Sequence, residues 1–162
     1  MYYARIEVGQ LGCINLSGLS LGLEGRVDKL SRKLVDYHTK GNLSPNHGTG
    51  FIETRKNPLN GPEFLIIDGH HRSFSSYVFY EPVEVVVYEN ADEITDRAKQ
   101  FDFWKSVGHH QTAMLTGKGM LKDLMTGDLF RQYIQKLKGI KNADPALCDV
   151  ICVLERFLPR VH

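Results

Sequence analysis

One continuous stretch decides the fold, and it reads Glu63-Phe64-Leu65-Ile66-Ile67-Asp68-Gly69-His70-His71-Arg72-Ser73-Phe74. Its first part, residues 63–67, is a short apolar run of the length typical of a buried strand. Five polar residues follow at 68–72, and then Phe74, Tyr77 and Val78 resume at helical spacing. The stretch therefore predicts a strand, a tight polar turn and a helix in succession.

The segments around this stretch show both helical and strand patterns. Apolar residues recur at three- and four-residue steps over 25–40, which predicts an amphipathic helix. Short runs at 51–54 and 83–88 predict two more strands, the second being rich in β-branched residues. The first 24 residues are rich in Gly and Leu without a helical period, which indicates one or two strands joined by turns. Together these patterns predict an α+β fold.

The last part of the chain shows helical patterns and no strand pattern. Apolar residues recur at helical spacings from residue 94 onwards, and Asp144-Pro145 is typical of the start of a final helix. No repeat or low-complexity linker separates this part from the rest. We therefore predict a core at 1–90 and an α-helical C-terminal extension at 91–162 that packs on the same domain.

Composition limits the classes of protein to which the chain can belong. Its 162 residues are 42% hydrophobic and 24% charged, as expected of one soluble domain. A formal net charge of +1 excludes a protein that binds nucleic acid mainly through its overall field, so any anion site must be local. The three cysteines form no Cys-x-x-Cys pair, and neither a leader nor a membrane-spanning run is visible. We therefore predict a soluble, cytoplasmic protein with no membrane partner.

The polar turn at 68–72 has the properties of an anion site. The first N–H groups of a helix have no acceptor within the helix and carry partial positive charge. Gly69 would let the backbone approach a ligand closely, Arg72 offers a fork of donors suited to phosphate, and Ser73 adds a hydroxyl. His70 and His71 could donate to the same oxygens or move a proton near neutral pH. The alternative is that Asp68 caps the helix and the residues after it are solvated.

The motif and its surroundings resemble the ParB/sulfiredoxin superfamily, in which an aliphatic strand runs into an Asp-Gly-His-His-Arg type motif. The order of the predicted helix at 25–40 and the strands at 51–54 and 83–88 is similar too, so the resemblance covers roughly residues 5–90. It implies a small mixed sheet with packed helices, and the α-helical C-terminal extension lies beyond it. It also implies that the motif binds nucleotide phosphates.

Single positions in the motif distinguish the branches of this superfamily. Sulfiredoxins have a catalytic cysteine where this chain has His70, which argues against reduction of a sulfinic acid. Chromosome-partitioning members have a Gly-Glu-Arg-Arg type motif that binds CTP, and His70 and His71 replace its Glu and first Arg. Those members also need a helix-turn-helix domain, which is not recognisable in this sequence. The motif of this chain is instead similar to that of the free-serine kinase branch.

The resemblance to that branch implies a nucleotide-binding phosphotransferase or nucleotide hydrolase that uses ATP or ADP with Mg²⁺. Asp68 would activate or position the acceptor hydroxyl, and Glu24, before the first predicted helix, is the candidate base. His70 and His71 would assist as catalytic groups. The phosphates and their metal would be held by the residues that follow Asp68, namely Gly69, His70, His71, Arg72 and Ser73. No residue is predicted as a dedicated metal ligand.

A basic segment near the C-terminus leaves a nucleic-acid alternative open. Lysines and arginines exceed acidic residues over 112–141, with two aromatic residues among them. The candidate nucleic-acid-binding residues are Lys118, Lys122, Arg131, Lys136 and Lys138. A DNA-binding partition or nuclease module of the same superfamily is therefore the alternative function, and a protein-binding module is a third. The simplest interpretation of the basic residues remains a solvated helix face, and the sequence does not predict an oligomeric state.

Overall fold

The structure is a computed structural model, and it describes residues 1–12, 27–40, 51–115, 128–140 and 145–158. Its strands are β1 (Tyr2–Ile6), β2 (Leu11–Gly12), β3 (Ile52–Lys56), β4 (Phe64–Asp68) and β5 (Val83–Tyr88). Its α-helices are α1 (Val27–Lys40), α2 (His70–Val78), α3 (Arg97–Leu115), α4 (Asp128–Lys138) and α5 (Pro145–Glu155), and 3-10 turns lie at Val8–Gln10 and Ala91–Glu93. None of the helices in these ranges has the length and apolar composition needed to cross a membrane.

The five strands form one mixed sheet in the order β1-β5-β3-β4-β2. The pairs β1–β5 and β3–β4 are antiparallel, whereas β5–β3 and β4–β2 are parallel. A parallel neighbour needs a crossover connection, and helices are the usual means of making one. The predicted α+β fold with a small mixed sheet is therefore confirmed.

The sheet has apolar side chains on both faces. Alternate strand residues such as Val83, Val85 and Val87 join the main core together with residues of α1, α2, α4 and α5. On the other face, Ile67 belongs to a smaller cluster with Phe103 of α3. Each fully buried Val or Phe contributes about 1.5–3 kcal/mol. Among the helices in the described ranges, α1, α2, α4 and α5 therefore pack on one face of the sheet, and α3 packs on the other.

The last two described helices contribute to the same core as the strands. Phe130 and Ile134 of α4 and Val150 and Leu154 of α5 are fully buried in the main cluster. Phe130 also makes an edge-on contact with Phe74 of α2, with the ring centroids 6.5 Å apart. One hydrophobic cluster thus contains residues from both the predicted core at 1–90 and the predicted extension at 91–162. The boundary at residue 90 stays a prediction.

Candidate functional site

The polar motif lies at a sharp junction between β4 and α2. Asp68 ends the strand, Gly69 adopts φ 103° and ψ 30°, and α2 begins at His70. A Cβ atom on Gly69 would lie 3.1 Å from Cγ1 and 3.3 Å from Cα of Ile52. Glycine is thus required by the positive φ and by close packing against β3. The close approach expected toward a ligand is, in this structure, an approach to Ile52.

A β-bulge brings a second carboxylate beside the motif. Thr54 of β3 pairs with Ile66 of β4, but the preceding Glu53 pairs with Asp68, so β4 contains one extra residue at Ile67. An extra residue reverses the alternation of side chains beyond it, and bulges of this kind are common next to active sites. Glu53 and Asp68 therefore lie on neighbouring strands at one end of the sheet.

Lys99 of α3 connects these two carboxylates. Its Nζ donates to Oε2 of Glu53 at 2.5 Å and lies 3.6 Å from Oδ2 of Asp68. The hydroxyl of Tyr88 donates to the other oxygen of Glu53 at 2.8 Å. The exposed fractions of the side chains are 12% for Glu53, 31% for Lys99 and 59% for Asp68. A ligand can therefore reach Asp68 most easily, and Glu53 is the least exposed member of the group.

Sequence reasoning found Asp68 but missed Glu53, Tyr88 and Lys99. Asp68 lies inside a conspicuous local motif, whereas the other three come from β3, β5 and α3. Only the strand register and the packing of α3 bring them together. The acidic Glu53 within a predicted strand was the one available signal, because a charged residue on a buried strand needs a partner.

Protonation states around Lys99 follow from these contacts. The hydrogen bond to Glu53 is the main cause that raises the pKa of Lys99, and burial opposes it. Burial is the main cause that raises the pKa of Tyr88, and its bond to Glu53 adds to this. Lys99 is thus an ammonium and Tyr88 a neutral donor at physiological pH.

His70 is neutral in the folded chain. Its pKa is lowered to about 4, mainly by burial; the charge of Asp68 raises it, and His71 adds a smaller lowering effect. His70 therefore differs from the expectation of a group that titrates near neutral pH, and it can still offer one ring N–H.

Arg72 supplies the fixed positive charge of the motif. The side chain is half-buried, and burial lowers its pKa, while its electrostatic interactions with Tyr37 and Glu84 offset part of this effect. A guanidinium starts from a pKa above 12 and stays charged in proteins. The positive charge with which this turn can bind an anion therefore comes from Arg72 more than from His70.

Two of the serine hydroxyls of α2 donate to carbonyl oxygens of their own segment, whereas Oγ of Ser76 lies 3.0 Å from the Tyr37 hydroxyl on α1. Ser73 is fully buried, and its Oγ donates to the Gly69 carbonyl oxygen at 2.8 Å, parallel to the bond from its backbone N–H at 2.9 Å. Ser75 likewise donates to the His71 carbonyl oxygen at 2.8 Å. The Ser73 hydroxyl thus already donates its hydrogen to a backbone carbonyl. Its role in phosphate binding stays a prediction. The candidate base Glu24 lies outside the described residues.

Donors for a metal are present, although few. Among the residues that the structure describes, no group of three or more His, Cys, Asp or Glu side chains could hold a metal ion. Mg²⁺ usually binds through one or two carboxylates together with substrate phosphates and water. Both oxygens of Glu53 are engaged by Tyr88 and Lys99, so Asp68 is the one carboxylate of this pair that fits a metal arriving with a nucleotide.

The predicted basic surface is partly neutralised. Lys118 and Lys122 lie outside the described residues. On α4, Arg131 is 3.7 Å from Asp128, and Lys138 is 3.3 Å from Glu155 of α5. Lys136 is half-buried. These ion pairs do not favour the DNA-binding partition or nuclease alternative, which stays a prediction.

No protein-family model matches the chain, and no curated protein matches its sequence. One solved structure is similar along nearly the whole length: the C-terminally truncated chromosome-partitioning protein ParB from Caulobacter crescentus, complexed with CTP-gamma-S. The identity is 14%, the similarity covers 97% of this chain and 99% of that chain, and the TM-score is 0.42. At this level the similarity assigns no role to any residue of this chain.

Proposed function

We propose that this chain binds nucleotide phosphates at the β4–α2 junction and acts as a nucleotide-dependent phosphotransferase or nucleotide hydrolase. The observation that carries the proposal is the positive φ of Gly69, which turns the chain from β4 directly into α2. Because of that turn, Asp68 lies immediately before the N-terminus of α2, and Arg72 lies in the first turn of this helix. Phosphoryl transfer needs such positioning and charge more than covalent chemistry.

Each part of the junction has a role in this proposal. The first-turn amides of α2 and Arg72 bind phosphate oxygens, because both present N–H donors and positive charge. Neutral His70 donates one hydrogen bond, and His71 is the second candidate donor. Asp68, the more exposed carboxylate, activates or positions the acceptor hydroxyl or water. Mg²⁺ bound with the nucleotide would neutralise the negative charge that develops on the phosphates.

The proposal leaves the acceptor to experiment. A hydroxyl compound as acceptor would make the chain a kinase, and water would make it a nucleotide hydrolase. ATP and ADP are the proposed nucleotides, and Glu24 remains the proposed base. These finer assignments rest on the resemblance of the motif.

Thermal unfolding with nucleotides tests the proposal. We expect MgATP or MgADP to raise the melting temperature, because a ligand that binds only the folded state stabilises it. Adenosine and MgCl₂ alone should give little change. Arg72→Gln should abolish the increase, whereas Arg131→Gln, which removes an exposed guanidinium on α4, should keep it.

Two results would count against the proposal. The first is a wild-type melting temperature that no nucleotide changes, and the second is an equal response in the Arg72 and Arg131 variants. Release of ADP, AMP or phosphate, measured with and without hydroxyl acceptors, then separates transfer from hydrolysis.

A further inference from the structure

We propose that Lys99 is a phosphate-binding residue of this site, which exchanges its contact with Asp68 for one with a phosphate oxygen of the bound nucleotide. The inference rests on the proposed function and adds a residue from a separate element. Lys99 lies on α3, on the sheet face opposite α2. Phosphates would therefore bind between the start of α2 and the first turns of α3.

The position of Lys99 is fixed by its surroundings. Oδ1 of Asp96 accepts hydrogen bonds from the backbone N–H groups of Ala98 at 2.8 Å and Lys99 at 3.2 Å, which caps the start of α3. Further along, Arg55 of β3 donates to the Phe103 carbonyl oxygen at 3.0 Å and stacks over the Phe103 ring at 4.1 Å. The cap occupies the amides of Ala98 and Lys99, so an anion near this end of α3 would meet the Lys99 side chain and not these two N–H groups.

The Lys99 ammonium is held in position by the partly buried carboxylate of Glu53. Glu53 uses one oxygen for Lys99 and the other for the hydroxyl of Tyr88, so its side chain has little freedom to turn. The short contact to Glu53 keeps Lys99 charged and leaves the end of its side chain partly exposed. A positioned lysine of this kind binds phosphate as a point charge.

The contact with Asp68 is the weaker of the two. At 3.6 Å the Lys99–Asp68 distance is too long for a hydrogen bond, and the carboxylate is well exposed to water. Ion pairs at exposed positions stabilise proteins little. Among the described residues Lys99 donates one hydrogen bond, to Glu53, although its ammonium has three N–H groups. It can therefore turn toward a phosphate while keeping Glu53, and this turn would release Asp68 for the metal or the acceptor.

Binding measurements on four proteins test this role. Wild type, Lys99→Met, Lys99→Arg and Lys105→Met are titrated with MgATP, MgADP and pyrophosphate by calorimetry. Lys105 is the matched control, because it lies on the same helix with its Nζ over the Phe101 ring at 4.6 Å. We expect Lys99→Met to weaken binding about tenfold, as the loss of one charge-assisted hydrogen bond would. Lys99→Arg should recover most of the affinity, and Lys105→Met should bind like wild type.

A second variant separates binding from folding. If Lys99→Met lowers the melting temperature of the free protein because it leaves Glu53 uncompensated, Glu53→Gln/Lys99→Met restores a neutral pair. This double variant should fold and should show the same loss of affinity. Wild-type affinity in the folded variants that lack Lys99, together with loss of binding in Arg72→Gln, would overturn the role of Lys99 and leave the proposed function intact. Absence of binding by the wild-type protein would overturn both.

Discussion

Gly69 is a position where both backbone and packing exclude a side chain. Its φ of 103° is unfavourable for an L-residue, and an added Cβ would lie 3.1 Å from Ile52. We expect Gly69→Ala to lower the free energy of unfolding by about 2–4 kcal/mol, the sum of backbone strain and overpacking. Urea denaturation measures the change.

Gly108 provides the matched comparison for Gly69. It lies within α3, and a Cβ there would meet nothing within 4 Å. Gly108→Ala should raise the free energy of unfolding by about 0.5–1 kcal/mol, because alanine is the better helix former. Equal effects of the two substitutions would contradict this account of the turn.

His70 should make the fold sensitive to acid. Its folded-state pKa of about 4 is below the ordinary value of 6.5, so between these values the unfolded chain binds more protons than the folded chain. Stability should therefore be complete above pH 6.5 and fall as the pH decreases toward 4, by at most about 3 kcal/mol.

A second histidine contributes to this pH dependence. Burial also lowers the pKa of His110, so the control must separate its effect from that of His70. Urea denaturation at several pH values should give a shallower loss for His70→Asn than for wild type, with the remainder due to His110 and other groups. The same slope in both proteins would show that His70 titrates normally.

The local part of the site could be predicted from residues, and the rest could not. Asp68, Gly69 and Arg72 are neighbours in the chain, so an apolar run that ends in polar residues was enough to predict the turn. The Lys99–Glu53 contact depends on a bulge in β4 and on the packing of α3. The spacing of apolar residues along the sequence predicts neither the bulge nor the packing of α3.

Among the secondary-structure elements, α4 buries a hydroxyl group at the expense of folding stability. Tyr133 is fully buried, and its hydroxyl has no hydrogen-bond partner among the described residues. Burial raises the pKa of this phenol well above its ordinary value. We expect Tyr133→Phe to raise the free energy of unfolding by about 1 kcal/mol, because it removes an unsatisfied buried group.

Phe130 on the same helix is the contrasting position. Its ring is fully buried against Phe74. Phe130→Ala should lower the free energy of unfolding by about 3–5 kcal/mol through the cavity that it leaves. Thermal and urea unfolding of both variants check the pair, and a marked loss of stability in Tyr133→Phe would reveal a partner for the hydroxyl.

The sequence predicted the main elements well and their arrangement less well. The strands at 83–88 and around 64–67, and the helix within 25–40, all occur with small changes at their ends. The two-residue strand β2 is too short to produce a periodic signal. Strand order was not predictable either, because alternation shows which face is buried but not which strand lies alongside.

At the scale of the whole molecule, α5 completes the core. Leu147, Val150 and Leu154 of this helix are buried in the main cluster with residues of the strands. We expect a chain that ends at residue 140 to lose cooperative thermal unfolding, because removing α5 exposes this apolar surface to water. Circular dichroism and amide dispersion in NMR spectra measure the effect.

Cys152→Ser is the control for the truncation, because it changes α5 at its exposed face and leaves the buried residues of this helix in place. Cys152 is an exposed residue of α5, so this substitution should leave unfolding unchanged. A truncated chain that melts as cooperatively as the full chain would mean that residues 1–140 fold without α5.

The strand order also bears on how the protein is synthesised. β5, the last strand among the described residues, lies between β1 and β3, so β1 gains its neighbour in the described sheet only after Tyr88 has left the ribosome. Until then the nascent chain holds β1 and β3 with unpaired edges, which are prone to join other chains. Translation pauses before residue 88 should therefore favour aggregation or chaperone capture, whereas pauses after α5 has emerged should not.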